Sequence, residues 1–227
     1  MWKPIFHSLE FEYPNGYLFW DKAGHIARDL GQAIPGLRLR NQLIDQKEFT
    51  VDGTNAELLY GVRLSMLRSV DGDSTAFQKL ASLLVEVLTE ELELEGLVRW
   101  RIQVMVGWPS QTREEAYQTI LKVIPKEALS QVAGEAFQAA QLETAHDAVR
   151  VTNRFSILDL RPPPGPALPF PEAGKGVPYT IVSQTLENFE AMPIIEFKVS
   201  TVLETVENTL LAELSKKTAA KTDELAD

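Results

Sequence analysis

Residues 98–104 alternate strictly between apolar and polar side chains, and this alternation constrains the fold more than any other feature of the chain. In an extended strand, Trp100 and Ile102 fall on one face, while Arg99 and Arg101 fall on the other. Strands of this kind are typical of an antiparallel sheet with one face packed on a core and the other face in water. The segment therefore predicts a sheet that is covered on one side only.

Other strand patterns lie on both sides of this segment, at residues 5–13, 37–40, 47–51, 58–64, 148–160, 179–186 and 194–199. The patterns between residues 37 and 64 are short, and turn residues such as Gly53 and Asn55 separate two of them. Short strands joined by tight turns predict an antiparallel meander.

Apolar residues recur at helical spacing in residues 21–31, 75–94, 112–123, 126–142 and from residue 200 onward. We expect Asp21, Ser74 or Thr75, and the pair Ser200 and Thr201 to cap the first, second and last of these helices. Runs of strands separated by helices favour an α+β fold. The prediction is an antiparallel sheet with amphipathic helices packed on one face.

We expect residues 1–215 to form one α+β domain, with residues 216–227 as a flexible charged tail. The helices that start near Ser74 and Ser200 both follow strand patterns and both open with Ser-Thr. An internal duplication with halves 1–108 and 109–215 is therefore the alternative to an undivided domain.

Composition limits the partners and the chemistry. With 32 acidic and 22 basic residues, the net charge is −10, which opposes binding to nucleic acid or to anionic membranes. No stretch has the length and apolarity of a membrane span, so we expect a soluble cytoplasmic protein. There is no cysteine, and His7, His25 and His146 lie far apart in the chain, so we expect no metal site and no cofactor.

Four arginines on the polar faces of predicted strands are the candidate ligand-binding residues: Arg99, Arg101, Arg150 and Arg154. If their strands are neighbours, the guanidinium groups converge and can bind an anion or a nucleotide phosphate. The alternative is a solvated sheet face on which these arginines pair with Glu196 or with helix carboxylates.

A hydrolase is the second alternative. His25 lies four residues from both Asp21 and Asp29 on a predicted helix, so a carboxylate could orient it as a base. The local sequence marks no serine, threonine or cysteine as a nucleophile, so we assign no catalytic residue.

Residues 161–178 hold seven of the thirteen prolines and three glycines, a composition that predicts an extended loop. Leu168, Phe170 and Val177 could anchor this loop on another subunit. We also expect Trp2, Trp20, Phe170 or the outer surface of the last helix to form an exposed apolar patch.

The order of several features resembles that of sporadically distributed bacterial α+β proteins of unknown function. These features are residues 13–21, the helix beginning at Phe77, the strand residues 99–102, and Trp108-Pro109 followed by residues 114–116. The resemblance covers about the first 125 residues. It implies a small bacterial protein that acts as an accessory component of a larger system, and it transfers no catalytic residue.

The prediction for function is a non-catalytic binding or assembly protein that acts through protein–protein contacts or self-association. An anion-binding or nucleotide-phosphate-binding module that uses the strand arginines is the alternative.

Overall fold

A computed structural model describes residues 1–14, 18–70, 72–131, 137, 139–146, 148–160, 177–188 and 190–223. The strands of this described part are β1 (Lys3–Glu12), β2 (Leu37–Gln42), β3 (Gln46–Val51), β4 (Ala56–Gly61), β5 (Leu64–Ser69), β6 (Leu97–Pro109), β7 (Ala139–His146), β8 (Val149–Leu160), β9 (Val177–Asn188) and β10 (Met192–Pro193). The α-helices are α1 (Phe19–Ala33), α2 (Ser74–Glu91), α3 (Arg113–Val123) and α4 (Val199–Asp223). Short 3-10 helices cover Lys126–Gln131 and Ile194–Glu196.

The strands form one antiparallel sheet in the order β2-β3-β4-β5-β1-β6-β9-β8-β7, with β10 paired to the start of β6. The helices pack side by side in the order α1, α2, α4, α3, and they contact strands from β2 to β8. Side chains from the helices and from alternate strand positions share one buried apolar cluster. The predicted α+β fold, with helices on one face of an antiparallel sheet, is confirmed.

The order of elements occurs twice along the chain. A first unit runs β1, α1, the meander β2–β5 and α2, and a second unit runs β6, α3, the meander β7–β9 and α4. In each unit the first strand pairs with the last strand of the meander, and β1 and β6 meet as antiparallel neighbours at the centre of the sheet. In this arrangement β6 begins the second unit, whereas a division after residue 108 would leave β6 in the first.

All three predicted helix caps differ from the structure; Ser200 and Thr201 lie inside the first turn of α4, which begins at Val199. Asp73, and not Ser74 or Thr75, caps α2, because its side chain accepts a hydrogen bond from the amide of Ala76 at 2.9 Å. Helix α1 begins at Phe19 without a side-chain cap, so Asp21 lies inside its first turn and not at its start.

Two predicted elements are wrong. The helix expected over residues 126–142 is a 3-10 helix followed by strand β7, because residues 139–146 pair along their whole length with β8. The strand expected at residues 194–199 is a 3-10 helix in which the amide of Phe197 bonds to the carbonyl of Ile194. Within the segment 216–227, for which a flexible charged tail is predicted, α4 continues as far as Asp223.

The strand expected over residues 58–64 is the hairpin β4–β5, which turns at residues 62–63. Gly61 is required at this turn, since a Cβ there would lie 2.7 Å from the carbonyl oxygen of Asp45.

Candidate functional site

The helix-free face of the sheet carries a row of alternating charges across four neighbouring strands. Glu10, Arg101, Glu187 and Arg150 lie opposite one another in register on β1, β6, β9 and β8. Arg101 contacts Glu187 at 2.7 Å and Glu10 at 3.1 Å, while Arg150 contacts Glu187 at 3.1 Å and Glu143 at 3.2 Å. Because of this strand register, Arg101 and Arg150, two of the predicted ligand-binding arginines, form ion pairs with glutamates on neighbouring strands.

These ion pairs lower the capacity of Arg101 to attract a separate anion. The hydrogen bond to Glu187 is the main cause that raises the pKa of Arg101, and the charges of Glu187 and Glu10 add to it. Arg101 and Arg150 pair as the alternative interpretation expected, but their partners are strand glutamates on β1, β7 and β9, and neither Glu196 nor a helix carboxylate is among them.

Three of the four predicted arginines do meet in one cleft of about 390 Å³. Its lining residues are Glu10, Glu12, Arg99, Trp100, Arg101, Arg150, Glu187 and Asn188. Three carboxylates face three guanidinium groups in this set, and Arg99 is the one arginine among them without an ion pair to a described residue. Arg154 lies outside the cleft, next to Ser183 in register. The cleft is close to neutral, which disfavours a strongly anionic ligand.

A second surface feature is an apolar rim at one end of the sheet. Ten large apolar side chains are exposed within the described residues, and six of them belong to this rim: Trp20, Leu43, Ile44, Leu64, Leu97 and Ile195. Trp20 is 59% exposed, Ile44 86% and Ile195 84%. We call these six residues the rim.

Hydrogen bonds between turns fix the rim residues at the same end. The indole of Trp20 donates to the carbonyl of Ile44 at 3.0 Å, and the amide of Val62 donates to Asp45 at 3.0 Å. The amide of Tyr13 donates to Arg63 at 3.0 Å, which ties the end of β1 to the β4–β5 turn. These bonds join the starts and ends of separate strands into one continuous edge.

The end of β1 lies beside the start of β6, and the start of β6 lies beside β10. Leu64 and Arg99 both lie opposite Glu12 in register, on the two strands that flank β1. The amide of Ile194 bonds to the carbonyl of Gly96 at 3.3 Å, which brings the residue after it, Ile195, next to the start of β6. The edge that begins at Trp20 therefore continues through Leu64, Leu97 and Ile195.

A groove of about 400 Å³ opens in the rim. Its lining residues are Glu12, Tyr13, Pro14, Arg63, Leu64, Leu97, Arg99 and Ala191. Arg63 and Arg99 are exposed, and neither has an ion pair with a described residue. The groove thus combines exposed leucines with two unpaired cations.

A buried polar cluster was missed by the sequence interpretation. His7 is fully buried on β1; its Nε2 lies 3.1 Å from Ser74 Oγ on α2 and 3.3 Å from Glu207 Oε2 on α4. The imidazole stacks on Phe77 with ring centroids 5.2 Å apart. The available signal was the alternation of β1, which places His7 on the same face as Leu9 and Phe11.

This cluster resembles a nucleophile, base and acid in composition but not in geometry. Ser74 and Glu207 share one imidazole nitrogen, whereas a catalytic triad places the acid on the other nitrogen. Within the described residues, Nδ1 of His7 has no hydrogen-bond partner. Burial would raise the pKa of Glu207, but hydrogen bonds from His7 and Ser74 and attraction to His7 hold that pKa below its usual value. The contacts of this cluster connect strand β1 to helices α2 and α4.

The residues proposed for hydrolysis are not arranged for it. His25 is exposed, and its Nδ1 lies 3.3 Å from a guanidinium nitrogen of Arg28. Asp29 accepts from the same arginine at 3.1 Å. Arg28, which the sequence interpretation did not consider, is thus the group that contacts both.

Two parts of the predicted apolar patch are corrected. Trp2 is 3% exposed, because its ring packs edge-on against Trp108 and its indole donates to Thr218 at 3.1 Å. The outer surface of α4 carries Glu204, Thr205 and Asn208, so it is polar. Trp20 alone among the described candidates is exposed. The predicted anchors Leu168 and Phe170 lie outside the described residues, and Val177 is the first residue of β9, opposite Leu160 in register.

Comparison of the sequence with protein-family models gives no match, and no curated protein is significantly similar to it. None of the helices in the described part of the chain is long and apolar enough to cross a membrane. Across the same residues, no three histidine, aspartate or glutamate side chains are grouped in a way that could hold a metal ion.

Proposed function

We propose that the chain is a non-catalytic binding or assembly protein that docks a protein partner on the rim. The observation that supports this proposal most is the concentration of exposed apolar side chains at one end of the sheet. Single exposed apolar residues are ordinary on protein surfaces, but a contiguous group marks an interaction site. A cytoplasmic location and a role as an accessory component of a larger bacterial system belong to the same proposal.

The composition of the rim suits a protein interface. Aromatic and aliphatic side chains such as Trp20 and Ile44 form the centre of most interfaces, with arginine enriched beside them. Trp20 is held in place by its hydrogen bond to the β2–β3 turn, so little side-chain entropy remains to be lost on binding. The helix-free sheet face is less suitable, because its central charges already satisfy one another.

Photo-crosslinking from defined positions tests the proposal. A photoreactive phenylalanine derivative replaces Ile44 or Ile195 in cells that make the protein, and the matched control replaces Leu158, which is 42% exposed away from the rim. We expect discrete crosslinked products from both rim positions and none from position 158. Equal yields from all three positions, or none from the rim, would contradict the proposal.

An anion-binding module is the second candidate, and the unpaired guanidinium of Arg99 is the observation that favours it. If this site binds polyphosphate, excess polyphosphate raises the melting temperature of the wild-type chain and leaves that of the Arg99→Ala variant unchanged. Equal melting temperatures with and without polyphosphate in the wild type would exclude this candidate.

A further inference from the structure

We propose that the partner on the rim is a second copy of this chain, bound about a twofold axis that passes close to Leu97. This inference rests on the proposed function and assigns the partner for the same surface. Three features support it: the pattern of charge around Leu97, the position of Ile195, and the exposed carboxylates that follow α2.

Opposite charges lie at equal spacing on the two sides of Leu97. Glu95 lies two residues before it, and Arg99 lies two residues after it on the same strand. Both are exposed, and neither has an ion pair with a described residue. At the rise of a strand, Arg99 lies about 7 Å beyond Leu97.

A twofold axis exchanges these positions between two copies. In a symmetric dimer each contact occurs twice, so a surface must be complementary to itself. With the axis at Leu97, the two Leu97 side chains meet, Glu95 of each copy faces Arg99 of the other, and two opposite-charge contacts form. Glu93, which is also exposed and without a described ion pair, lies on the Glu95 side of the axis and extends the acidic half of the pattern.

The surroundings of Leu97 fit this arrangement. Leu97 is 55% exposed and pairs in register with Pro193, two residues before the almost fully exposed Ile195. Apposition of two rims would cover Leu97, Ile195 and Leu64 in both copies at once. The chain carries a net charge of −10, so two copies repel at long range, and local pairing of Arg99 with Glu95 offsets this repulsion where the surfaces meet.

Exchange of the two charges tests the inference. Arg99→Glu and Glu95→Arg each place like charges opposite one another in a dimer of identical chains, and a mixture of the two variants restores two opposite-charge contacts. We expect each variant alone to dimerise at least about tenfold more weakly than the wild type in sedimentation velocity. An equimolar mixture should recover a mixed dimer of near wild-type affinity.

The control pair is Arg154→Glu and Glu86→Arg, which makes the same charge changes on exposed residues away from the rim. We expect both control variants, alone or mixed, to dimerise like the wild type. Circular dichroism confirms that all four variants keep the wild-type fold, which their exposed positions favour.

Two results would overturn the inference. A wild-type chain that remains monomeric at all concentrations excludes a second copy as the partner; crosslinks from Ile44 or Ile195 to a different protein would then leave the proposed function standing. If both single variants dimerise as tightly as the wild type, and mixing them gives no gain in affinity, the twofold pairing at Leu97 is overturned. If the rim positions also give no crosslinked products, the proposed function fails as well.

Discussion

Replacement of Glu207 by alanine should destabilise the fold by about 2 kcal/mol. The carboxylate is nearly buried, and it accepts hydrogen bonds from the imidazole of His7 and the hydroxyl of Ser74. Its removal takes a hydrogen-bond acceptor from the buried imidazole of His7 and from the half-buried hydroxyl of Ser74, which costs about 1–3 kcal/mol. Glu204→Ala is the matched control, since Glu204 lies one turn earlier on α4 and is exposed.

At acidic pH, the difference in the free energy of unfolding between the wild type and Glu207→Ala should disappear. The pKa of Glu207 is lowered in the folded state, so its stabilising contribution is complete above about pH 4.5 and is lost as the pH falls through the lower folded-state value. Urea denaturation at pH 7 and pH 3 measures the change in the free energy of unfolding. A cost below about 0.5 kcal/mol at pH 7, or an equal cost for Glu204→Ala, would show that the carboxylate of Glu207 does not stabilise the fold through its hydrogen bonds.

Three further outcomes follow from the structure. Arg101→Ala should change the free energy of unfolding by at most about 1 kcal/mol in urea titrations, because its ion pairs are half-exposed; a loss above about 2 kcal/mol would contradict this. Gly24→Ala should raise stability by about 1 kcal/mol because the helix position is open, whereas Gly61→Ala should lower it by about 1–3 kcal/mol because its Cβ meets the carbonyl of Asp45; thermal unfolding of both variants checks the opposite signs. Deletion of residues 161–176 should leave the mass of the dimer in light scattering unchanged, and dissociation would instead favour the proline-rich segment as the assembly arm.

Short-range patterns predicted most of the sheet. The alternation of β6 identified its buried and exposed faces, because the period of two records directly which side chains meet the core. The prediction of a helix at β7 was wrong because residues 139–146 are stabilised as a strand by pairing with β8. Local composition does not reveal a pairing between separate segments of the chain.

The candidate surfaces were less accessible to sequence reasoning. Arg99, Arg101 and Arg150 were expected to converge if their strands were neighbours, and they do, but the carboxylates that neutralise two of them come from three different strands. The rim could not be read from sequence at all. Its members, including Trp20 and Ile195, are separated by up to 175 positions and meet only because the turns and strand ends of both units lie at one end of the sheet.

Light scattering coupled to size-exclusion chromatography, on the wild type and on a double variant with Ile44→Asp and Ile195→Asp, shows whether the chain assembles through the rim. We expect the mass of the wild type to approach twice 25.4 kDa as its concentration rises, while the folded double variant stays at 25.4 kDa. A Leu158→Asp control should behave like the wild type. A wild type that stays at 25.4 kDa, or a double variant that keeps the dimer mass, would contradict assembly through the rim.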